Sequence, residues 1–410
     1  MSTWPFRFVH AGDFHLEQPL MGVPEVPDHL RELFLEAPLT AARQVFDAAL
    51  VEDVKFVVLS GDILQPSGAG PRGALFLAEQ FARLAARGIG VYWAGGTFDP
   101  PEAWPAAVTL PENVHVFPRG RAENVVIHRD AEPLARLVGM CRDAQQPLRP
   151  TDFSADPAGL YTIGVIHGEP DAAVLQSSGI HYWALGGRHD RSTPQSGPRV
   201  VHYCGSPQGR RPEESGVHGC TLVQVDGQNC TRTSLIPTDA ARWLSERVLV
   251  DETNSREDLE TRLRERMHTL LEASPAVGLL VSWTIAGRGP LIGQLRRGRL
   301  AAELLQWLRG DYGYRSPAAW SVSLVAEISE SLPPEWYEQE TIRGDFLRAV
   351  RQLQMNPEEP LALHQYVSES HLAGTLAGIV SFGGKAARER ALREAAVLGV
   401  DLLSGEDLHE

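Results

Sequence analysis

The chain is poor in cysteine. Of its 410 residues four are Cys, and Cys141, Cys204, Cys220 and Cys230 form no C-x-x-C pair, so neither a thiolate zinc site nor a redox motif is indicated. Reduced, mostly buried thiols are expected. Long apolar runs are also lacking: none approaches the roughly 20 residues that a membrane-spanning helix needs. The N-terminal stretch MSTWPFRFVHAGD carries no basic region followed by an apolar one, which argues against a secretory signal and for a cytoplasmic chain. Positive charge is in deficit, with a formal net charge of −14. That argues against a protein that coats itself on nucleic acid unaided, because phosphate affinity comes from Lys and Arg displacing counterions. A local basic patch, or a partner that carries the DNA, stays open. Repeats and low-complexity tracts are absent. What is present, 43% hydrophobic and 22% charged residues, describes a globular protein long enough for two domains.

The first hundred residues alternate apolar runs with helical spacing. Phe6 to His10 reads as a strand, about Leu30 to Glu52 as a helix, Lys55 to Leu59 as a strand buried on both faces, Ala74 to Ala86 as a helix and Gly90 to Ala94 as a strand. This β-α-β-α-β order implies a parallel sheet. Beyond about residue 114, short runs at Val114–Phe117, Tyr161–Ile166, Tyr182–Leu185, Val200–Tyr203 and Thr221–Val225 predict further strands. Residues 142–159 read as an exposed loop. A second domain is expected over 241–410, after a first over 1–240. It opens with a capping-box signal at Ser255 and Asp258, followed by a helical face of Leu259, Leu263, Met267, Leu270 and Leu271. Strands at Gly278–Ile285 and Trp320–Ile328 flank a helix around Leu300–Leu308, and the chain ends in an acidic tail.

In an α/β sheet, ligands collect outside the carboxyl ends of the strands. Those ends carry Asp13-Phe-His15, Gly61-Asp62, Gly96-Thr-Phe-Asp99, His167 and Gly186-Gly-Arg-His189. Each piece alone is commonplace, since Asp often follows a strand as a turn residue. As an ordered set they supply the carboxylates and imidazoles preferred by Mn²⁺, Fe²⁺ or Zn²⁺. Gly68–Gly73 also matches G-x-G-x-x-G, but its first Gly stands too far beyond the preceding strand for a dinucleotide turn. Arg288, Arg296, Arg297 and Arg299, and the basic stretch Lys385–Arg393, read as solvated or partner-facing helix faces.

The order D-x-H, G-D, G-N-H-D, H, G-H-x-H resembles the calcineurin-like metallophosphoesterases. The stretches FRFVHAGDFHLEQPL, VKFVVLSGDIL, LPENVHVFP, YWALGGRHDR and YCGSPQGR look like the SbcD and YhaO branch, bacterial relatives of double-strand-break repair nucleases. The similarity covers roughly residues 5–245 and then fades into a region placed like that branch's C-terminal cap. The resemblance implies an α/β fold: a four-layer α-β-β-α sandwich with a smaller α+β cap. It also implies a site in which two metals about 3.5–4 Å apart clamp a phosphodiester, with one bridging carboxylate and a His acting on the leaving oxygen.

Carried over residue by residue, the resemblance assigns the first metal to Asp13, His15, the bridging Asp62 and His189, a complete set. The second metal would take Asp62, His167 and the positions now held by Thr97 and Gly187, so two of its four ligands are gone. The catalytic His position is Phe98, which transfers no proton, and Asp99 loses the side chain that it would orient. Arg188 is a candidate for replacing the missing positive charge against a phosphate. Asp190, His181, His202 and Glu169 lie near the motifs as further substitutes.

The favoured reading is a catalytically impaired scaffold holding about one Mn²⁺ or another divalent ion per chain. It would partner an SMC-like coiled-coil ATPase docked through the C-terminal region, and DNA would be reached through that complex. No membrane is involved, and a homodimer is left open. An exposed apolar patch on the C-terminal domain is expected. The alternatives are an active metal-dependent DNA exonuclease or phosphodiesterase with substituted site residues, and a phosphoesterase acting on a small nucleotide.

Overall fold

The computed structural model describes residues 4–66, 71–146, 149–251, 253–287, 289–327, 332, 334–357, 359–361 and 385–403. Residues 68–70 of the glycine-rich motif, Arg288, Ile328 and the acidic tail lie outside the described residues. In chain order the first elements are β1 (Phe6–Ala11), α1 (Arg31–Val51), β2 (Phe56–Leu59), α2 (Pro71–Ala85), β3 (Gly90–Trp93) and β4 (Val114–Val116). There follow β5 (Glu123–Arg129), β6 (Glu132–Gly139), β7 (Tyr161–His167), α3 (Ala172–Ser177), β8 (Tyr182–Gly186), β9 (Ser192–Gln195), β10 (Val200–Tyr203), β11 (Gly219–Val225) and β12 (Thr231–Pro237).

These strands form two six-stranded sheets, ordered β12-β11-β1-β2-β3-β4 and β5-β6-β7-β8-β10-β9. The β1-β2-β3-β4 pairs are parallel, as the alternating pattern of the first hundred residues requires. The sheets pack face to face through a buried layer that includes Phe8, Phe56, Ile163 and Tyr182. Phe8 stacks on Phe56 with centroids 4.9 Å apart and meets the edge of Tyr182 at 5.4 Å. Full burial of one such ring contributes about 2–3 kcal/mol. A second cluster, with Val45, Phe46, Leu77 and Phe81, joins α1 and α2 to the outer face of the first sheet. A third, with Val138, Ile166, Val174 and Trp183, covers the outer face of the other. The result is the α-β-β-α layering.

Helix α1 contains Pro38, which has no N–H to give to the carbonyl of Phe34. That carbonyl accepts the N–H of Leu20 at 2.9 Å instead, so the proline ties the loop after β1 to the helix. The hairpin β5–β6 was not foreseen from the sequence. Pro133 interrupts its run, and β5 is an edge strand that is buried only at Ile127.

The remaining elements are β13 (Ala241–Val250), α4 (Arg256–Ala273), β14 (Gly278–Gly287), α5 (Pro290–Arg296), α6 (Arg299–Tyr312), β15 (Ala319–Ala326), α7 (Ile342–Met355) and α8 (Lys385–Leu403). Strands β13, β14 and β15 form a three-stranded sheet in that order. The capping box before α4 is reciprocal: Ser255 N–H donates to Asp258 Oδ2 at 2.8 Å, and Asp258 N–H donates to Ser255 Oγ at 3.2 Å. Leu259, Leu263, Met267 and Leu270 are its buried stripe, while Leu271 is only half-buried. Leu347, Val350, Leu392, Ala396 and Val400 join α7 to α8. The chain forms two compact units. One is Met1–Ser245 with Ala273–Ser282 and Tyr312–Trp320; the other is Glu246–Glu272, Trp283–Asp311 and Ser321–Glu410.

Candidate metal centre

Five loops at the carboxyl ends of β1, β2, β3, β7 and β8 converge in the first unit. The backbone there is strained. Among the described residues six non-glycine residues have positive φ, and three of them are Asp13 (54°), His15 (45°) and Asp62 (53°). Such conformations persist only where their surroundings enforce them. Here Asp13 N–H donates to Gly61 O at 2.9 Å and His15 N–H to Asp62 O at 3.0 Å, binding the β1 loop to the β2 loop. Two glycines permit the close approach. A Cβ on Gly96 would stand 2.3 Å from Asp62 Oδ1, and one on Gly186 would stand 2.1 Å from the Ser60 carbonyl oxygen.

The side chains form two groups whose ligand atoms all lie within 4.8 Å of one another: Asp13, His15 and His189, and Asp13, Asp62 and His167. Asp13 is common to both groups; the resemblance gives the bridging role to Asp62. Asp62 Oδ1 accepts the N–H groups of Thr97 at 2.6 Å and Phe98 at 2.9 Å, and Oδ2 lies 3.3 Å from His167 Nε2.

The donor set fits a divalent metal. Both ring nitrogens of His15 are buried without a hydrogen-bond partner, a costly arrangement unless they ligate something. His167 Nδ1 lies 2.9 Å from Ser60 O, which fixes the proton on Nδ1 when the ring is neutral and frees Nε2. His189 Nδ1 lies 2.8 Å from Glu214 Oε1, the carboxylate–histidine pairing that steadies a ligand ring. Electrostatically the groups are strongly coupled. Burial pushes the Asp13 carboxyl up to about 6 and the His15 imidazole down to about 3. Burial alone would raise Asp62 and lower His167, but their hydrogen bond and opposite charges outweigh it. Asp62 is therefore held below the ordinary carboxylate range, and His167 is pushed up to about 9.

At the degraded positions, Thr97 and Phe98 are exposed, and the Phe98 ring stands 5.6 Å from that of His15. Gly187 is more than a missing ligand. Its N–H points at both oxygens of Asp13, at 3.0 and 2.9 Å, in a backbone conformation (φ 92°) that favours glycine. Asp99, read from the sequence as idle, is occupied. It accepts N–H groups from Asp62, Ile63 and Gly96 at 2.8, 3.1 and 2.6 Å, and Trp93 Nε1–H at 2.9 Å. Burial pushes its carboxyl up to about 7, while these backbone donors act the other way.

Arg188 does not behave as a free cation. It is exposed, pairs with Glu169 Oε1 at 2.7 Å, and lies over the Tyr203 ring at 4.4 Å. His181 accepts the Thr162 N–H, His202 bridges Thr193 and Thr221, and Asp190 is exposed. Arg296, half-buried, donates to Glu327 O at 2.9 Å, and the exposed Arg299 pairs with Glu303 at 3.2 Å. Two residues at the centre were not anticipated. Arg210 and Glu214 reach His189 from the loop after β10. The signal was the end of the stretch YCGSPQGR, which places an arginine, with a glutamate four residues on, behind a glycine turn.

No protein-family model matches the chain. A curated relative, the uncharacterized metallophosphoesterase YhaO of Bacillus subtilis (strain 168), is 29% identical over 232 residues, or 53% of this chain. This likeness supports the metallophosphoesterase superfamily. The matched stretch spans 57% of that metallophosphoesterase's length. Among solved structures, a dimetal phosphatase from Danio rerio is 12% identical, covering 56% of this chain and 98% of its own, with a TM-score of 0.34. Vps29 complexed with Zn²⁺ from Entamoeba histolytica is 12% identical, covering 57% and 99%, with a TM-score of 0.26. The two layered sheets and the grouped carboxylates and imidazoles stand on the chain's own geometry. Among the described residues, no helix is long and apolar enough to cross a membrane.

Proposed function

We propose that this chain is a catalytically impaired metallophosphoesterase of the DNA-repair-nuclease type, which binds a divalent metal, best Mn²⁺, and recognises a phosphoester without turning it over efficiently. The observation that carries this reading is Phe98. It stands at the mouth of the centre, exposed and 5.6 Å from the His15 ring, at the position where the resemblance calls for a proton-transferring histidine. Asp13, His15, Asp62, His167 and His189 would hold the metal. A bound divalent ion supplies Lewis-acid polarisation of a phosphoryl oxygen. Ser60 O and Glu214 orient the His167 and His189 rings, and the N–H groups of Thr97 and Phe98 hold Asp62 in place. The Phe98 ring cannot deliver a proton to a leaving oxygen, a step worth about 10²–10⁴ in rate.

The same reading places the chain beside an SMC-like coiled-coil ATPase that carries most of the DNA contact. The net charge of −14 supports this division, as do the exposed side chains of Ile342, Met355, Leu398 and Leu402 on α7 and α8. A second reading, an active exonuclease or phosphodiesterase, is favoured by one observation: both ligand groups keep three members because Asp13 serves each. The deciding experiment is metal content by elemental analysis after Mn²⁺ loading and desalting, paired with cleavage of end-labelled DNA. About one ion per chain and no cleavage supports impairment. Two ions, with cleavage abolished by Asp62→Ala, supports the active enzyme.

A further inference from the structure

Arg210 is a buried cation beside the metal centre, with a side chain only 3% exposed. Its Nη2 lies 3.0 and 3.1 Å from Nδ1 and Nε2 of His189, and its Nη1 donates to Gln18 Oε1 at 3.1 Å. The carboxylate beside it, Glu214, leaves 3.7 Å between Oε1 and Nη2. Glu214 spends its oxygens elsewhere, Oε1 on His189 at 2.8 Å and Oε2 on the backbone N–H of Arg210 at 2.7 Å. A guanidinium carries five N–H donors in one plane and does not lose its charge. Burial acts against its charge, which carboxylates compensate: Glu214 pairs with it at 3.7 Å, and Asp13 and Glu17 also favour it. The arrangement therefore fixes a positive charge against His189, on the side of the centre formed by Asp13, His15 and His189. A fixed cation there disfavours a further metal ion and favours an anion.

We propose that Arg210 binds a non-bridging oxygen of the substrate's phosphate, with Glu214 as a positioning residue that holds both the arginine backbone and the His189 ring. This rests on the phosphoester reading above and names the group that would recognise the phosphate. It moves the compensating positive charge from Arg188, which pairs with Glu169 and lies over Tyr203, to a buried residue against the His189 ring.

The test uses the full chain, with Mn²⁺ alone and then inorganic phosphate as probes, each followed by isothermal titration calorimetry. Arg210→Gln is expected to weaken phosphate binding at least about tenfold, the size of a lost charge-assisted hydrogen bond, and not to weaken Mn²⁺ binding in parallel. Arg210→Lys is expected to recover part of the loss, since it keeps the charge but not the planar fork. If Arg210→Gln does not fold, as judged by circular dichroism, Arg210→Lys carries the test through a several-fold loss of phosphate affinity. Unchanged phosphate affinity in the folded variant overturns the proposal. So does a parallel loss of Mn²⁺ and phosphate in both variants, which makes Arg210 part of the metal framework only. A wild-type chain that binds no Mn²⁺ sinks the metallophosphoesterase reading itself. One that binds Mn²⁺ but treats phosphate identically with and without Arg210 sinks only the arginine's role.

Discussion

The Asp99 carboxylate accepts the backbone N–H of Asp62 at 2.8 Å, so the residue cast by resemblance as the partner of a catalytic histidine here fixes the loop that presents a metal ligand. With three further donors from Ile63, Gly96 and Trp93, it staples the β2 loop to the β3 loop. Asp99→Ala leaves those buried donors without an acceptor, at about 1–3 kcal/mol each. The expected outcome is a fall in melting temperature on the order of 10 °C, measured by thermal unfolding. Asp99→Asn, which keeps one acceptor oxygen, should lose clearly less. A melting temperature unchanged in Asp99→Ala would remove the stapling role.

Phe98 is open to substitution because its side chain is exposed and its backbone N–H, not its ring, is what Asp62 holds. Phe98→His is therefore expected to fold normally and to raise hydrolysis of an aryl phosphodiester at least about tenfold in Mn²⁺, within the range of general acid–base catalysis. Phe98→Ala should bring no gain. If both variants match the wild type, the missing proton donor is not what limits turnover.

Much of this centre was legible because β-strand ends are where side chains meet. Asp13, His15, Asp62, His167 and His189 each follow an apolar run, and the order of those runs carries the information. The hold of the Thr97 and Phe98 N–H groups on one oxygen of Asp62 was not legible, because it depends on how the β3 loop folds. Nor was the work of Asp99, whose partners are mostly backbone groups from other loops. Arg210 and Glu214 sit in a loop with no hydrophobic period, and only the fold brings them to His189. The β5–β6 hairpin was hidden by Pro133 and by the mostly exposed or half-buried face of β5.

Gly186 and Gly187 test how tightly the β8 loop must fit. A methyl group on Gly186 would stand 2.1 Å from Ser60 O, the carbonyl that also holds His167 Nδ1. Gly186→Ala should cost about 1–3 kcal/mol through overpacking and also weaken Mn²⁺ binding, because it displaces the acceptor that orients His167. Gly187→His should fail to rebuild a second-metal ligand. Its positive φ strains any side chain, and its Cβ would crowd His167 Nε2 at 3.3 Å. Mn²⁺ titration of both variants checks this, and a gain of one ion per chain in Gly187→His would refute the second expectation.

Acid sensitivity should come in part from the layer between the sheets. His202 is fully buried between Thr193 Oγ1 and Thr221 Oγ1, each at 2.8 Å. Burial, with help from the nearby Arg191 charge, holds its imidazole down to about 3. Between that value and the ordinary histidine range of about 6.5 the unfolded chain binds one more proton than the folded one, so stability rises with pH. Going from pH 7 to pH 5 should therefore remove about 2 kcal/mol through His202. His10, also buried and held well below its ordinary value, acts in the same direction. Urea unfolding at the two pH values measures the loss. His202→Asn should be less stable at pH 7 yet lose about 2 kcal/mol less on acidification. An equal loss in both proteins would mean that the acid response arises elsewhere and that the His202 site admits a proton without cost.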